Sequence, residues 1–124
     1  LPRKAGRFTI VQVKRSQVAG ATDALDAVYK TPDGIEVSVW LRSHATAEMA
    51  GAVLVEMIKL AKSRGYTELS RANVVSDKDP KKILGTIVVL RGPREVMVWS
   101  NGSVIAIVEG PFDVAQEFSR AVNF

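Results

Sequence analysis

Three short apolar runs follow closely on one another in the second half of the chain: Ile83–Leu90, Glu95–Trp99 and Val104–Glu109. The first two are separated by R-G-P-R (Arg91–Arg94), the last two by S-N-G-S (Ser100–Ser103). Each run has strand length, and Gly, Pro and Asn punctuate the gaps, so the stretch predicts an antiparallel meander. Asn101-Gly102 is its sharpest signal, because a two-residue type I′ hairpin turn needs positive φ at both central positions. Asn101-Gly102-Ser103 is also a glycosylation acceptor by pattern, relevant only to a chain exported through a glycosylating pathway.

These runs are apolar on both sides. Ile87 and Val89 alternate with Val88 and Leu90, Val96 and Val98 with Met97 and Trp99, and Val104, Ala106 and Val108 with Ile105 and Ile107. A central antiparallel strand with one wet face alternates apolar with polar residues. Two explanations are open. Both faces are covered within the monomer, helices on one side and loops or the first hairpin on the other. Otherwise a partner, most simply a second copy, covers one face, or that face lines an apolar ligand cavity.

The rest of the chain gives this ribbon its neighbours. R-F-T-I-V-Q-V-K (Arg7–Lys14) reads as a strand, with Phe8, Ile10 and Gln12 on one face and Thr9, Val11 and Val13 on the other. L-D-A-V-Y-K (Leu25–Lys30) is a weaker strand, and T-P-D-G (Thr31–Gly34) a turn. In Ile35–Arg42 the alternation is cleanest: Ile35, Val37, Val39 and Leu41 point one way, and Glu36, Ser38, Trp40 and Arg42 the other. From Thr46 to Gly65 the period becomes helical, with Ala50, Val53, Leu54, Met57, Ile58 and Ala61 on one stripe. Thr46 suits the N-cap and Gly65 the residue past the C-cap of a helix about 28 Å long. Tyr66–Ser76 is ambiguous, with an edge strand as one reading, Asp77–Lys82 is a turn or loop, and Phe112–Val122 restores the helical period after Pro111.

The expected fold is therefore α+β. It has a single antiparallel, meander-containing β-sheet of about six or seven strands, in the order β-β-β-α-(β)-β-β-β-α. One long central helix and one C-terminal helix pack on the sheet. Residues 1–124 read as one domain, without internal repeat or linker.

Composition narrows the function classes. At 47% hydrophobic and 24% charged the chain is globular rather than disordered. No apolar stretch approaches the ~20 residues of a membrane span. With no cysteine, disulfides, thiol catalysis and cysteine-held metals are excluded. The net charge of +4 is dispersed. Arg3, Lys4 and Arg7 and then Lys78, Lys81 and Lys82 are its densest clusters, and neither is the block of like charge that marks a nucleic-acid tail.

Few residues suggest chemistry. His44, the only histidine, lies four residues before Glu48, a weak acid–base or metal pair that reads more simply as the turn into the helix. Asp23 and Asp26 are close in sequence, a common surface arrangement. Gly-x-Ser-x-Gly, Ser-x-x-Lys and the Gly-rich phosphate loops are all absent. Arg91 and Arg94 flank a Gly-Pro turn and either grip an anion or end in solvent. Trp40, beside Arg42 on the polar face of its strand, is the best stacking platform for nucleic acid, or else packs under the helix or in an interface. Met97, Trp99, Ile105 and Ile107 are the candidates on the apolar surface.

The chain begins at Leu1, which a cleaved signal, a lipid anchor or a boundary within a longer protein would each produce. Its plan, from the L-P-R-K-A-G-R-F opening through hairpins, long helix, meander and terminal helix, resembles small exported or lipoprotein-type α+β domains. That resemblance implies an extracytoplasmic location, with the cytoplasm as the other option, and no site residues. The leading expectation is a non-catalytic binding or assembly module acting through the apolar sheet surface, a homodimer among the options, with no cofactor or metal. The alternatives are a basic nucleic-acid- or polyanion-binding domain, and a small enzyme using His44 with a carboxylate.

Overall fold

The period changes at Thr46 because there the chain leaves the sheet. The computed structural model describes residues 1–75, 77–79, 81 and 83–122. Ser76, and Pro80 and Lys82 of the Asp77–Lys82 loop, lie outside the described residues. Helix α1 spans Ala47–Ser63. The Thr46 hydroxyl accepts a hydrogen bond from the Met49 amide at 3.1 Å, satisfying one of the N–H groups that a helix start leaves without a partner. Glu48 in the first turn and Lys62 in the last complement the helix dipole. Gly65, just past the C-cap Arg64, takes φ +94°, the left-handed conformation that ends the helix. Ala50, Leu54 and Ile58 are buried, with Val53, Met57 and Ala61 packed around them, so the predicted stripe is the buried face.

Among the described residues there are eight strands: β1 (Lys4–Ala5), β2 (Phe8–Ser16), β3 (Asp23–Lys30), β4 (Glu36–Ser43), β5 (Thr67–Val75), β6 (Ile83–Arg91), β7 (Glu95–Asn101) and β8 (Val104–Gly110). The second helix, α2, spans Val114–Ala121. All strands join one antiparallel sheet in the order β1-β2-β3-β4-β8-β7-β6-β5. The count exceeds the expected six or seven because the ambiguous Tyr66–Ser76 segment carries β5 and the entry of the chain adds the two-residue β1. Four strands and a helix occur twice in succession, and the two quartets meet where β4 pairs with β8. The repetition lies in topology, not in sequence.

Two local readings shift by a residue. Ile35 belongs to the turn rather than to β4, because Thr31 accepts from its amide and donates to its carbonyl, both at 3.0 Å. Asn101 is the last residue of β7, paired with Val104, so the hairpin loop is Gly102-Ser103. Gly102 has φ +60°, and Asp113 is the only non-glycine among the described residues with positive φ. Positive φ at the first central position alone is the pattern of a type II′ turn, which wants glycine there, and not of the type I′ turn that Asn-Gly predicts.

The two helices pack on opposite faces of the sheet. Helix α1 closes a core with Val88, Leu90, Val98 and Ile105. Helix α2 closes another with Phe8, Tyr29, Val37, Val39 and Val108. Neighbouring residues of a strand point to opposite faces, so β8 sends Ile105 to one core and Val108 to the other. That accounts for its two-sided apolarity within the monomer, although a helix rather than loops supplies the second cover. In the α2 core, Phe118 meets Phe8 edge-on at 5.2 Å and Tyr29 at 4.7 Å between ring centroids. Burying such a ring contributes roughly 1.5–3 kcal/mol. The helix begins at Val114, later than the Phe112 start read from the sequence, because the Pro111 carbonyl first accepts from the Val114 and Ala115 amides in a turn.

Each helix covers only part of its face. α1 packs mainly on β7 and β8 and reaches Val88 and Leu90 of β6, while α2 packs mainly on β8, β7 and β4, with Phe118 against Phe8 of β2 and Tyr29 of β3. The β2–β4 half of the α1 face is left open. No helix among the described residues is long and apolar enough to cross a membrane.

Candidate functional site

The open half-face is built by strand register. Two cross-strand rows lie side by side on it: Gln12–Val28–Ser38, and Lys14–Asp26–Trp40. Trp40 pairs onward with Ile107, which packs in the α1 core, so the half-buried indole stands where the helix cover ends. These six residues line a shallow groove of about 210 Å³.

A bulge delivers two of the six. Strict alternation puts Gln12 with Phe8 and Ile10 on the core side. The register shift between Ile10 and Gln12 takes up Val11 and reverses every later side chain of β2. Ile10 stays packed in the α2 core, while Gln12 and Lys14 turn to the other face beside Val28 and Asp26.

The charges on this face are mostly paired. Arg42 Nη1 donates to Asp26 Oδ1 at 2.8 Å, and the Ser16 hydroxyl donates to Asp26 Oδ2 at 2.8 Å. Burial by itself would raise the Asp26 pKa. The hydrogen bonds from Ser16 and Arg42, with the charges of Arg42 and Lys14, outweigh it and hold the carboxyl below its ordinary value. Asp26 is therefore an anion at neutral pH and fixes Arg42 in place. Lys30 pairs with Glu36 at 3.5 Å. Gln12, Lys14 and Ser38 have no side-chain hydrogen bond or ion pair among the described residues.

The other sequence candidates fall elsewhere. Ile105 is fully buried beneath α1, and the partly buried Ile107 packs against the same core. Met97 and Trp99 lie on the opposite face, where Met97 is buried and Trp99 packs against the α2 core. The four residues read as one patch are thus divided between two faces. Arg91 pairs with the fully buried Glu95 at 3.0 Å and stacks on the Phe112 ring at 4.1 Å. Arg94 pairs with Glu109 at 3.4 Å and donates to the Glu36 carbonyl at 3.4 Å. Both guanidinium groups already hold partners within the chain.

His44 has a structural role. Its amide donates to the Ser103 carbonyl at 2.8 Å, and its Nδ1 lies 3.0 Å from the Gly20 carbonyl. A carbonyl only accepts, so Nδ1 carries the proton, and Nε2 is buried without a partner. His44 thus ties the β7–β8 hairpin tip and the β2–β3 loop to the start of α1. No hydrogen bond or ion pair joins it to the exposed Glu48. Asp23 and Asp26, three apart in β3, point to opposite faces.

Sequence alternation finds Trp40 and Arg42. The same alternation gives Ser38, whereas Gln12, Lys14 and Val28 come from two other segments, and only register unites them with Trp40. No protein-family model, curated protein or solved structure matches the chain.

Proposed function

We propose that the chain is a non-catalytic binding module whose ligand sits on the β2–β4 half-face. The observation that carries this reading is the groove itself. A half-buried tryptophan borders an apolar floor ringed by the Gln12 amide, the Lys14 ammonium and the Ser38 hydroxyl, none of them in a hydrogen bond or ion pair among the described residues, and by the Asp26 carboxylate that Ser16 and Arg42 hold. Such a mix of one apolar surface and a few converging polar groups is what small-ligand sites share.

The side chains that would carry chemistry are held in structural contacts, which supports a non-catalytic role. His44 bonds Gly20, Asp26 bonds Ser16 and Arg42, and Glu95 is buried against Arg91. Assembly through the apolar strands gains less support, since Ile105, Ile107 and Met97 pack inside the monomer. Pairing between copies along the β5 edge is disfavoured too, since that strand breaks register between Glu68 and Ser70 and between Val74 and Val75. For a polyanion-binding role the half-face offers one unpaired cation, Lys14, since Lys30 and Arg42 are in ion pairs.

The test is a ¹⁵N NMR screen of the whole chain against a library of sugars, nucleotides, amino acids and short peptides. The expected result is saturable shifts confined to β2–β4 amides and the Trp40 indole, lost in Trp40→Ala. Hits that map to the other face, or to none, would overturn the reading.

A further inference from the structure

We propose that the groove beside Trp40 takes one sugar residue bearing a single carboxylate, a hexuronate unit of an oligosaccharide, with its ring on the indole and its carboxylate on Lys14. This rests on the β2–β4 half-face being the binding surface.

Dimensions come first. Lys14 and Trp40 are two strands apart, as are Gln12 and Ser38, which sets each pair about 10 Å apart; the two rows lie about 7 Å apart. That frame suits one six-membered ring with its substituents, over the apolar floor of Val28. The electron-rich face of an indole attracts the polarised C–H groups of a sugar ring. Gln12 and Ser38 each both donate and accept, as sugar hydroxyls do. Lys14 only donates and carries charge, so it matches a carboxylate.

Charge then separates the candidates. A nucleic acid would also stack on Trp40, but each of its phosphates wants a cation. With Lys30 held by Glu36 and Arg42 by Asp26, Lys14 is what the half-face has left. A ligand with one negative charge fits that supply. A neutral sugar would leave Lys14 with only its cross-strand neighbour Asp26, whose carboxylate Ser16 and Arg42 already engage. The larger hollow under the β2–β3 loop, about 670 Å³, offers no aromatic lining, and its Arg15 and Asp23 face each other at 3.8 Å.

The groove is shallow, so the expected dissociation constant is on the order of 1 mM. The probes are tetragalacturonate, a neutral galactose tetrasaccharide and a thymidine tetranucleotide, each titrated into the ¹⁵N-labelled chain. Tetragalacturonate should shift the Trp40 indole N–H and the β2–β4 amides, and Trp40→Ala should abolish the response. Lys14→Gln, at an exposed position, should weaken tetragalacturonate binding about tenfold; it keeps the test readable if Trp40→Ala does not fold. Equal affinity for the neutral sugar, a silent Lys14→Gln, or a response to the tetranucleotide alone would overturn the sugar assignment and leave the binding face standing. No response at β2–β4 to these probes overturns the assignment as well; if the library screen also leaves β2–β4 unmoved, the binding face falls with it.

Discussion

Gly85→Ala should be among the most damaging single-methyl changes in this chain. Gly85 pairs with Asn101 of β7, and its φ is not positive, so it needs glycine for space rather than for torsion. A Cβ there would fall inside the van der Waals envelope of the Ser100 carbonyl oxygen, with the Ser100 carbonyl carbon at 2.8 Å and Asn101 Cα at 3.4 Å. These are backbone atoms of the neighbouring strand and cannot rotate away. Relief requires β6 and β7 to part locally, which breaks the ladder at this end together with the Thr86 amide bond to Ser100 Oγ at 3.2 Å. Two or three hydrogen bonds at about 1 kcal/mol each, plus overpacking strain of about 1–3 kcal/mol, give a loss of roughly 3–6 kcal/mol. Domains of this kind have roughly 5–15 kcal/mol in all. With a urea m-value of about 2 kcal/mol/M, the unfolding midpoint should fall by about 2 M. Equilibrium urea denaturation followed by circular dichroism reads this directly. A midpoint within about 0.3 M of the parent would mean that the strands do not approach as described.

The same substitution at Gly51 should have the opposite sign. It lies inside α1 with nothing within 4 Å of the place an alanine methyl would occupy, so Gly51→Ala should add about 0.5–1 kcal/mol in the same assay. Phe118→Ala should cost about 3–5 kcal/mol, because a fully buried ring between Phe8 and Tyr29 is removed; a loss under about 1 kcal/mol would contradict that packing. Glu68 receives hydrogen bonds from Arg71 and Lys62, which lower its pKa to about 2 from the ordinary 4.5. Its folded pKa is depressed, so its contribution to stability is present above pH 4.5 and is lost as pH falls towards 2. A ¹³C titration of the Glu68 carboxyl should show a midpoint near 2, and Glu68→Gln should flatten the acid limb of stability against pH.

The parts of the fold legible in the sequence are those with local causes. Thr46, the Ala50–Ile58 stripe and Gly65 define α1 by capping and periodicity, which need no knowledge of the rest of the chain. The two-sided apolarity of β8 is legible as well, but periodicity says that both faces are covered and not by what. The edge strand β5 shows only as one reading of an ambiguous segment because it has one neighbour and two irregularities, so T-E-L-S-R-A-N-V-V never alternates for long. The candidate site is half legible for a related reason. Trp40 and Arg42 show in a clean alternation, whereas Gln12 and Lys14 reach the same face only through a bulge that alternation assigns the wrong way.

The placement of α1 and α2 on opposite faces also governs how the sequence can vary. Ala50, Leu54, Val88 and Leu90 belong to one packed set, and Phe8, Tyr29, Val37 and Phe118 to the other. Changes in one set need no compensation in the other, and their effects on stability should sum. β7 and β8 are where that independence stops: Val98 and Trp99 of β7 serve opposite cores. Ile105 and Val108 of β8 likewise sit on one short backbone, so a residue that tilts the strand to suit one helix misplaces it for the other. The two halves of the chain can drift apart in sequence only as far as these two shared strands allow.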